Sequence, residues 1–167
     1  MVMTVGVLSD THLRGGRDSF AFLERLARDY FAEAQAVVHA GDLVDPAILE
    51  AFSPLPVYGV RGNMDLAHAD LPPKRILTLE GFRIGLIHGW GAACGLEERL
   101  LEEFAGANLD CLVYGHSHQP LNEQRGKLLL FNPGSPVDPR QAPFPSVGRL
   151  HLNSTNQTIR GEILRCG

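Results

Sequence analysis

The chain has 167 residues, 44% hydrophobic and 20% charged, a composition that suits one globular domain with a sizeable core over residues 1–167. A formal net charge of -4 without any basic run argues against a broad nucleic-acid footprint, and no apolar run approaches the roughly 20 residues of a membrane helix. Cys94, Cys111 and Cys166 lie far apart in no C-x-x-C pattern, and "MVMTVGVLSD" lacks the features of a secretory signal, so disulfides and thiolate zinc are not expected and the cytoplasm is the expected location.

The first apolar run, "MTVGVLS" (3–9), predicts a strand. Phe20, Phe22, Leu23, Leu26, Ala27, Tyr30 and Phe31 then recur at helical spacing, which predicts an amphipathic helix over 19–34 with Asp18 as N-cap. "AVVHA" (36–40) reads as the second strand. Pro46 to Phe52 reads as a second helix, capped by Asp45 with Pro46 at the first position, and "VYGV" (57–60) as a third strand. This β-α-β-α-β order implies parallel pairing, whereas "RILTLEGFRIGLIH" (75–88) predicts a hairpin turning at Glu80-Gly81. A helix over 96–105 and strands "CLVYG" (111–115) and "LLLFN" (128–132) follow. "SVGRLHL" (146–152) and "QTIRGEILR" (157–165) form a second antiparallel hairpin. The Pro-rich "NPGSPVDPRQAPFP" (132–145) is expected to be a long ordered loop, a length at which loops are often functional. The expected class is α/β with a mixed sheet system.

Polar residues cluster where these strands end. Asp10 and His12 follow the first, Asp42 the second, Asn63 and Asp65 the third; His88 closes a fourth, and His116 and His118 a fifth. Ligands of α/β sheets bind at carboxyl strand ends, so residues distant in sequence can converge there. Oxygen and imidazole donors without thiolate suit Mn, Fe, Zn or Co. Asp10, His12, Asp42, Asn63, His88, His116 and His118 are too many for one tetrahedral ion, but shared between two ions roughly 3.5–4 Å apart they leave places for water and substrate. Alone, each motif has a plainer reading as a turn or cap. The histidines of "GHSH" say more, because residues two apart on an extended segment face the same side. Recurrence at every strand end favours metal.

His39, inside an apolar run, reads as a buried group behind the ligands, while His68 and His151 read as surface or packing residues. "GLIHGWGAACG" comes close to a dinucleotide fingerprint, but its third position is Cys94, it follows a hairpin strand, and Asp110 begins a strand where the ribose acid should follow one.

The ordered set Asp10-x-His12, Gly41-Asp42, Gly62-Asn63, His88 and Gly115-His116-x-His118 resembles the calcineurin-like metallophosphoesterases, over most of the chain through Ser135. The short length, "GNMD" and "FNPGSP" are similar to the small bacterial and archaeal phosphodiesterase branch, which also includes the eukaryotic retromer small subunit. The resemblance implies a two-sheet mixed β-sandwich flanked by helices in four layers. It also implies two divalent ions, commonly manganese, with zinc, iron, nickel or cobalt as alternatives. Carried over by motif, Asp10, His12 and His118 hold the first ion, Asn63, His88 and His116 the second, and Asp42 bridges them.

The implied reaction is diester hydrolysis by a metal-bridging hydroxide, with Asp42, Asn63 and His88 acting through the metals. Many larger members carry His directly after the Asn, where this chain has Met64, so monoester hydrolysis is expected to be weaker than diester hydrolysis. The alternatives are a phosphomonoesterase for a small substrate and a non-catalytic protein-interaction scaffold of the same fold. Arg14, Asp65 and Arg140 are candidate contacts to a small phosphate-ester substrate. No membrane is expected as partner, and oligomeric state stays open.

Overall fold

The computed structural model describes residues 1–67 and 70–167, so the packing role expected of His68 lies outside the described residues. In chain order the strands are β1 (Val2–Leu8), β2 (Ala36–His39), β3 (Val57–Gly59), β4 (Lys74–Leu79), β5 (Phe82–Ile87), β6 (Cys111–Val113), β7 (Leu121–Arg125), β8 (Leu128–Asn132), β9 (Ser146–Asn153) and β10 (Thr158–Arg165). The α-helices are α1 (Gly16–Tyr30) and α2 (Leu96–Glu102), and Pro46–Phe52 is a 3-10 helix.

Two five-stranded sheets result, in the orders β10-β9-β1-β2-β3 and β4-β5-β6-β8-β7. Both are mixed: β1, β2 and β3 pair in parallel, as do β5, β6 and β8, while antiparallel strands complete the β10 edge of the first sheet and both edges of the second. Alternation along β1 explains the layering. Val5 and Val7 point into the space between the sheets, where they meet Ile84, Leu86, Val113, Phe131 and Leu150. Leu8 instead joins a layer with Leu23 and Leu26 of α1 and Ile48 of the 3-10 helix. On the outer face of the second sheet, Leu112 and Leu130 pack against Leu96 and Leu100 of α2. The order helix, sheet, sheet, helix is the expected sandwich.

Several local expectations change. Helix α1 begins three residues early, with Gly15 (φ 78) as its N-cap and Asp18 inside the first turn, where a carboxylate complements the helix dipole. It ends at Tyr30, short of Ala34. Asp45 does cap the second helix by accepting from Ala47 N at 3.0 Å, but the helix is 3-10 in type. Helix α2 stops at Glu102 and continues only as turns. The Glu80-Gly81 turn has φ of 49 and 84, as a two-residue hairpin of matching twist requires.

Strand β7, "LNEQR", carries no strand signal in its sequence. It is an edge strand paired on one side only, so its exposed positions are filled by Asn122, Gln124 and Arg125.

Phe131 is fully buried, and its ring occupies the space over Gly148 and Gly161 of the opposite sheet. Phe131→Ala is expected to cost about 3–5 kcal/mol, because facing glycines cannot refill the cavity; urea denaturation measures the loss.

Candidate metal centre

Beyond β1 and β2 the two loops stay in register. Ala40 N donates to Leu8 O at 2.9 Å, Asp10 N to Gly41 O at 2.9 Å, and His12 N to Asp42 O at 3.0 Å. Backbone bonds alone therefore set Asp10, His12 and Asp42 side by side. Asp10 (φ 55), His12 (φ 48), Asp42 (φ 56), His116 (φ 70) and His118 (φ 59) all adopt left-handed backbone, a conformation that persists where surrounding structure enforces it and that clusters at functional sites.

The geometry of "GHSH" differs from the extended alternation expected of it. Strand β6 ends at Val113, and both histidines are left-handed, so their rings part instead of sharing a face. The His118 ring lies 5.3 Å from that of His12, whereas the His116 ring meets His88 edge-on at 5.4 Å. Two glycines permit this crowding. A Cβ on Gly115 would meet Ser9 Oγ and, at 2.6 Å, Asp10 Oδ2, and a Cβ on Gly62 would overlap Asp42 Oδ1.

Most of the donors have one atom fixed and another presented. Asp10 Oδ2 accepts from Ser9 Oγ at 2.7 Å and from His116 N at 3.0 Å, while Oδ1 is buried with no hydrogen bond. Asp42 Oδ1 accepts from Met64 N at 2.9 Å. His88 Nδ1 donates to Ala40 O at 2.8 Å, His118 Nδ1 to Asp138 O at 2.5 Å, and His116 Nε2 to Gly91 O at 2.9 Å. A carbonyl only accepts, so these bonds fix where the ring proton sits, and the other nitrogen of each neutral ring is a lone pair.

Those presented atoms converge. His88 Nε2, buried without a hydrogen bond, lies 3.2 Å from Asp42 Oδ2 and 3.7 Å from Asp10 Oδ1. His118 Nε2 lies 3.3 Å from Asp10 Oδ1 and 3.4 Å from His12 Nε2, which is 3.7 Å from Asp42 Oδ2. Among the described residues two groups of possible ligand atoms emerge, Asp10 with His12 and His118, and Asp10 with Asp42 and His88, each spanning no more than 4.8 Å. Buried oxygen and nitrogen lone pairs that face one another without a donor fit cations, and this donor set fits a pair of divalent ions.

When no ion is bound, protons take that role. Burial raises Asp10 and Asp42, but His118 beside the first and His88 beside the second outweigh it and hold both carboxyls below the usual range. Burial correspondingly lowers His88 and His118, and their carboxylate partners outweigh it and lift both above the ordinary imidazole value.

His39 behaves differently. It is fully buried, and burial pushes it down to about 3, so the ring is neutral. Its Nδ1 accepts from Gly41 N at 3.1 Å, which leaves Nε2 to donate to Thr11 Oγ1 at 3.0 Å. It thus ties the loop carrying Asp10 and His12 to the loop carrying Asp42.

The other expected residues sit as follows. Asn63 is exposed and shares a cleft with His88. Both oxygens of Asp65 are taken by backbone donors, Val44 N and Gly62 N, each at 2.7 Å. Arg140 Nη1 lies 3.4 Å from His116 O, and Arg14 is exposed on the loop after His12. His151 lies away from the site, 3.3 Å from Thr4 Oγ1. The near-fingerprint loop turns carbonyls inward, since Arg99 donates to Trp90 O and Cys94 O, and Asp110 accepts from Arg83 N.

Asn132 and Ser135, in "NPGS", were expected to shape the site through backbone groups and instead support it through their side chains. Ser135 Oγ donates to Asp10 O at 2.8 Å and accepts from Asp138 N at 3.0 Å, and Asn132 Nδ2 donates to Gly115 O at 3.2 Å. The length of the Pro-rich loop was the available signal for them. Ser9 and the Asp138 carbonyl had none.

Carboxylates and imidazoles gathered at the strand ends of two facing mixed sheets define an α/β sandwich with a candidate metal centre. The chain belongs to the calcineurin-like phosphoesterase superfamily, whose domain model matches residues 3–155. It is 37% identical over 169 residues to a probable metallophosphoesterase of Methanothermobacter thermautotrophicus, covering 99% of this chain and 94% of that one. Over 107 residues it is 36% identical to phosphodiesterase YfcE of Escherichia coli, covering 56% of this chain and 52% of the relative. Among solved structures it resembles Vps29 of Entamoeba histolytica, described as complexed with zinc, with a TM-score of 0.70, 25% identity and coverage of 98% and 99%.

Two outcomes follow from the geometry. Adding Mn2+ or Zn2+ near pH 7 is expected to release protons, with affinity falling as pH drops, because ions displace protons from His88 and His118. Calorimetry in buffers of different ionisation enthalpy measures this. His39→Ala leaves a buried N–H and a buried hydroxyl without partners and is expected to cost about 2–3 kcal/mol. The folded His39 binds fewer protons than the unfolded one between its ordinary value of 6.5 and about 3, so it costs the protein stability as pH falls through that window. Unfolding curves from pH 7 to 4 should show a shallower acid loss in the variant.

Proposed function

We propose that the protein is a dimetal phosphodiesterase. The observation that carries this reading is the pair of buried, unpartnered atoms at the centre of the site, Asp10 Oδ1 and His88 Nε2, inside a phosphoesterase-family chain. Asp10, His12 and His118 would hold one ion, and Asn63, His88 and His116 the other. A shared role for Asp42 is supported by its Oδ2, which lies 3.7 Å from His12 Nε2 and 3.2 Å from His88 Nε2. Two divalent ions there, manganese first among the candidates, would polarise phosphoryl oxygens and lower the pKa of water toward 7.

The chain's own residues do the rest by position. Carbonyl bonds at one nitrogen each of His88, His116 and His118 orient the rings and leave the other nitrogen of each for an ion, which holds the ligand set in place without a rotamer search. Met64, 56% exposed beside Asn63, offers a thioether, which cannot protonate a leaving group. Esters with good leaving groups need that proton least, so the expected preference is for diesters or for esters with such leaving groups. The scaffold reading needs no ligand set, yet all seven side chains are present.

The test combines metal analysis of the purified protein with Mn-dependent hydrolysis of bis(p-nitrophenyl) phosphate and p-nitrophenyl phosphate. Diester turnover should exceed monoester turnover, and Asp42→Asn should lower it by roughly a hundredfold or more. Faster monoester turnover would overturn the preference, and absence of both bound metal and metal-dependent turnover would favour the scaffold.

A further inference from the structure

The cleft that Asn63 shares with His88 has a volume of about 450 Å3, and Arg61, Pro73, Ile87 and Trp90 also line it. Trp90 is the chain's single tryptophan and is 43% exposed, although so large an apolar surface is ordinarily covered. Arg61 is half-buried. Its backbone N–H bonds to Pro72 O at 3.1 Å, but its guanidinium makes no hydrogen bond or ion pair with any described residue. The other cation on the wall, Lys74, is already neutralised, with Nζ 2.8 Å from Glu103 Oε2. Beside the metal centre, therefore, the cleft is lined by a part-exposed indole, by the apolar Pro73 and Ile87, by the Lys74–Glu103 ion pair and by one guanidinium with no partner among the described residues.

We infer that this cleft binds one esterified alcohol of the diester, and that this alcohol is a nucleoside monophosphate with its base on Trp90 and its own phosphate on Arg61. The inference rests on the phosphodiesterase reading above and names its substrate class. A simple alkyl alcohol would use neither group, and a sugar phosphate would use only Arg61. A nucleotide uses both, because a base stacks on an indole and a guanidinium fork matches a phosphate. The footprint is that of a single nucleotide, in keeping with an acidic chain that lacks a basic run.

The probes are 5′-phosphorylated adenylyl-adenosine (pApA), its unphosphorylated form (ApA), and AMP. Hydrolysis of pApA adds one water and yields two AMP: the bond from phosphorus to the 3′ oxygen breaks, the water oxygen joins phosphorus, and a water proton ends on the 3′ oxygen. With Mn2+ present, kcat/KM for pApA should exceed that for ApA by about tenfold or more. In Arg61→Met that ratio should fall below about twofold, with Arg61→Lys between. Trp90→Ala should lower both substrates, and Trp90→Phe should restore part of the loss.

Binding has its own readout. AMP should quench the fluorescence of the lone tryptophan in metal-free protein, and Arg61→Met should weaken that binding about tenfold. A pApA to ApA ratio unchanged by Arg61→Met, or no quenching by AMP, overturns the inference. Failure to hydrolyse any diester while AMP still quenches would instead overturn the phosphodiesterase reading and leave the nucleotide site standing.

Discussion

Lone pairs that face one another in the dry interior are the constraint on which the rest of the architecture depends. Asp10 Oδ1 and His88 Nε2 are buried without a hydrogen bond, and each such group costs about 1–3 kcal/mol unless an ion or a proton between imidazole and carboxylate offsets it. Left-handed backbone at Asp10, His12, Asp42, His116 and His118 adds local strain. The packed layers on both faces of both sheets supply the stability that offsets these terms. A core that runs from Val5 through Phe131 to Leu150 is what allows so unfavourable a cluster to stay folded.

The same constraint explains how the two sheets meet. The first contributes Asp10, His12 and Asp42, the second His88, His116 and His118, and each lends the other its hydrogen-bonding groups. His88 is oriented by Ala40 O of the first sheet's loop, and Asp10 by the N–H of His116 from the second. Ser135 adds a further cross-link to Asp10 O. Sliding one sheet against the other would break all of these at once, so the site also fixes the register of the sandwich.

Much of this was legible in the sequence, for reasons that can be named. Strands rich in β-branched residues and bounded by Gly, Asp or Pro announce themselves, as do Asp45-Pro46 and Glu80-Gly81. The candidate ligands were visible because chemistry-bearing side chains recur where strands end. Strand β7 was invisible, since an edge strand with polar side chains carries little apolar alternation. The supports were harder still. Ala40, Gly91 and Asp138 act through carbonyl oxygens, which every residue has, so no residue type marks them. Arg61 and Trp90 differ again: their types are informative, but their shared cleft depends on a cross-chain neighbourhood that no local pattern encodes.

The two crowded glycines carry a consequence for how such a sequence can drift. Gly62 answers to the carboxylate of Asp42, and Gly115 to that of Asp10, although the partners are far apart in the chain. Neither glycine can gain a side chain by itself. A Cβ at 62 would also lie 2.5 Å from the backbone nitrogen of residue 42, so even a chain that shortened the side chain at 42 is held to glycine at 62 while the two loops keep this approach. The absence of a side chain at two positions is thus as much a part of the site's chemistry as the side chains that fill it.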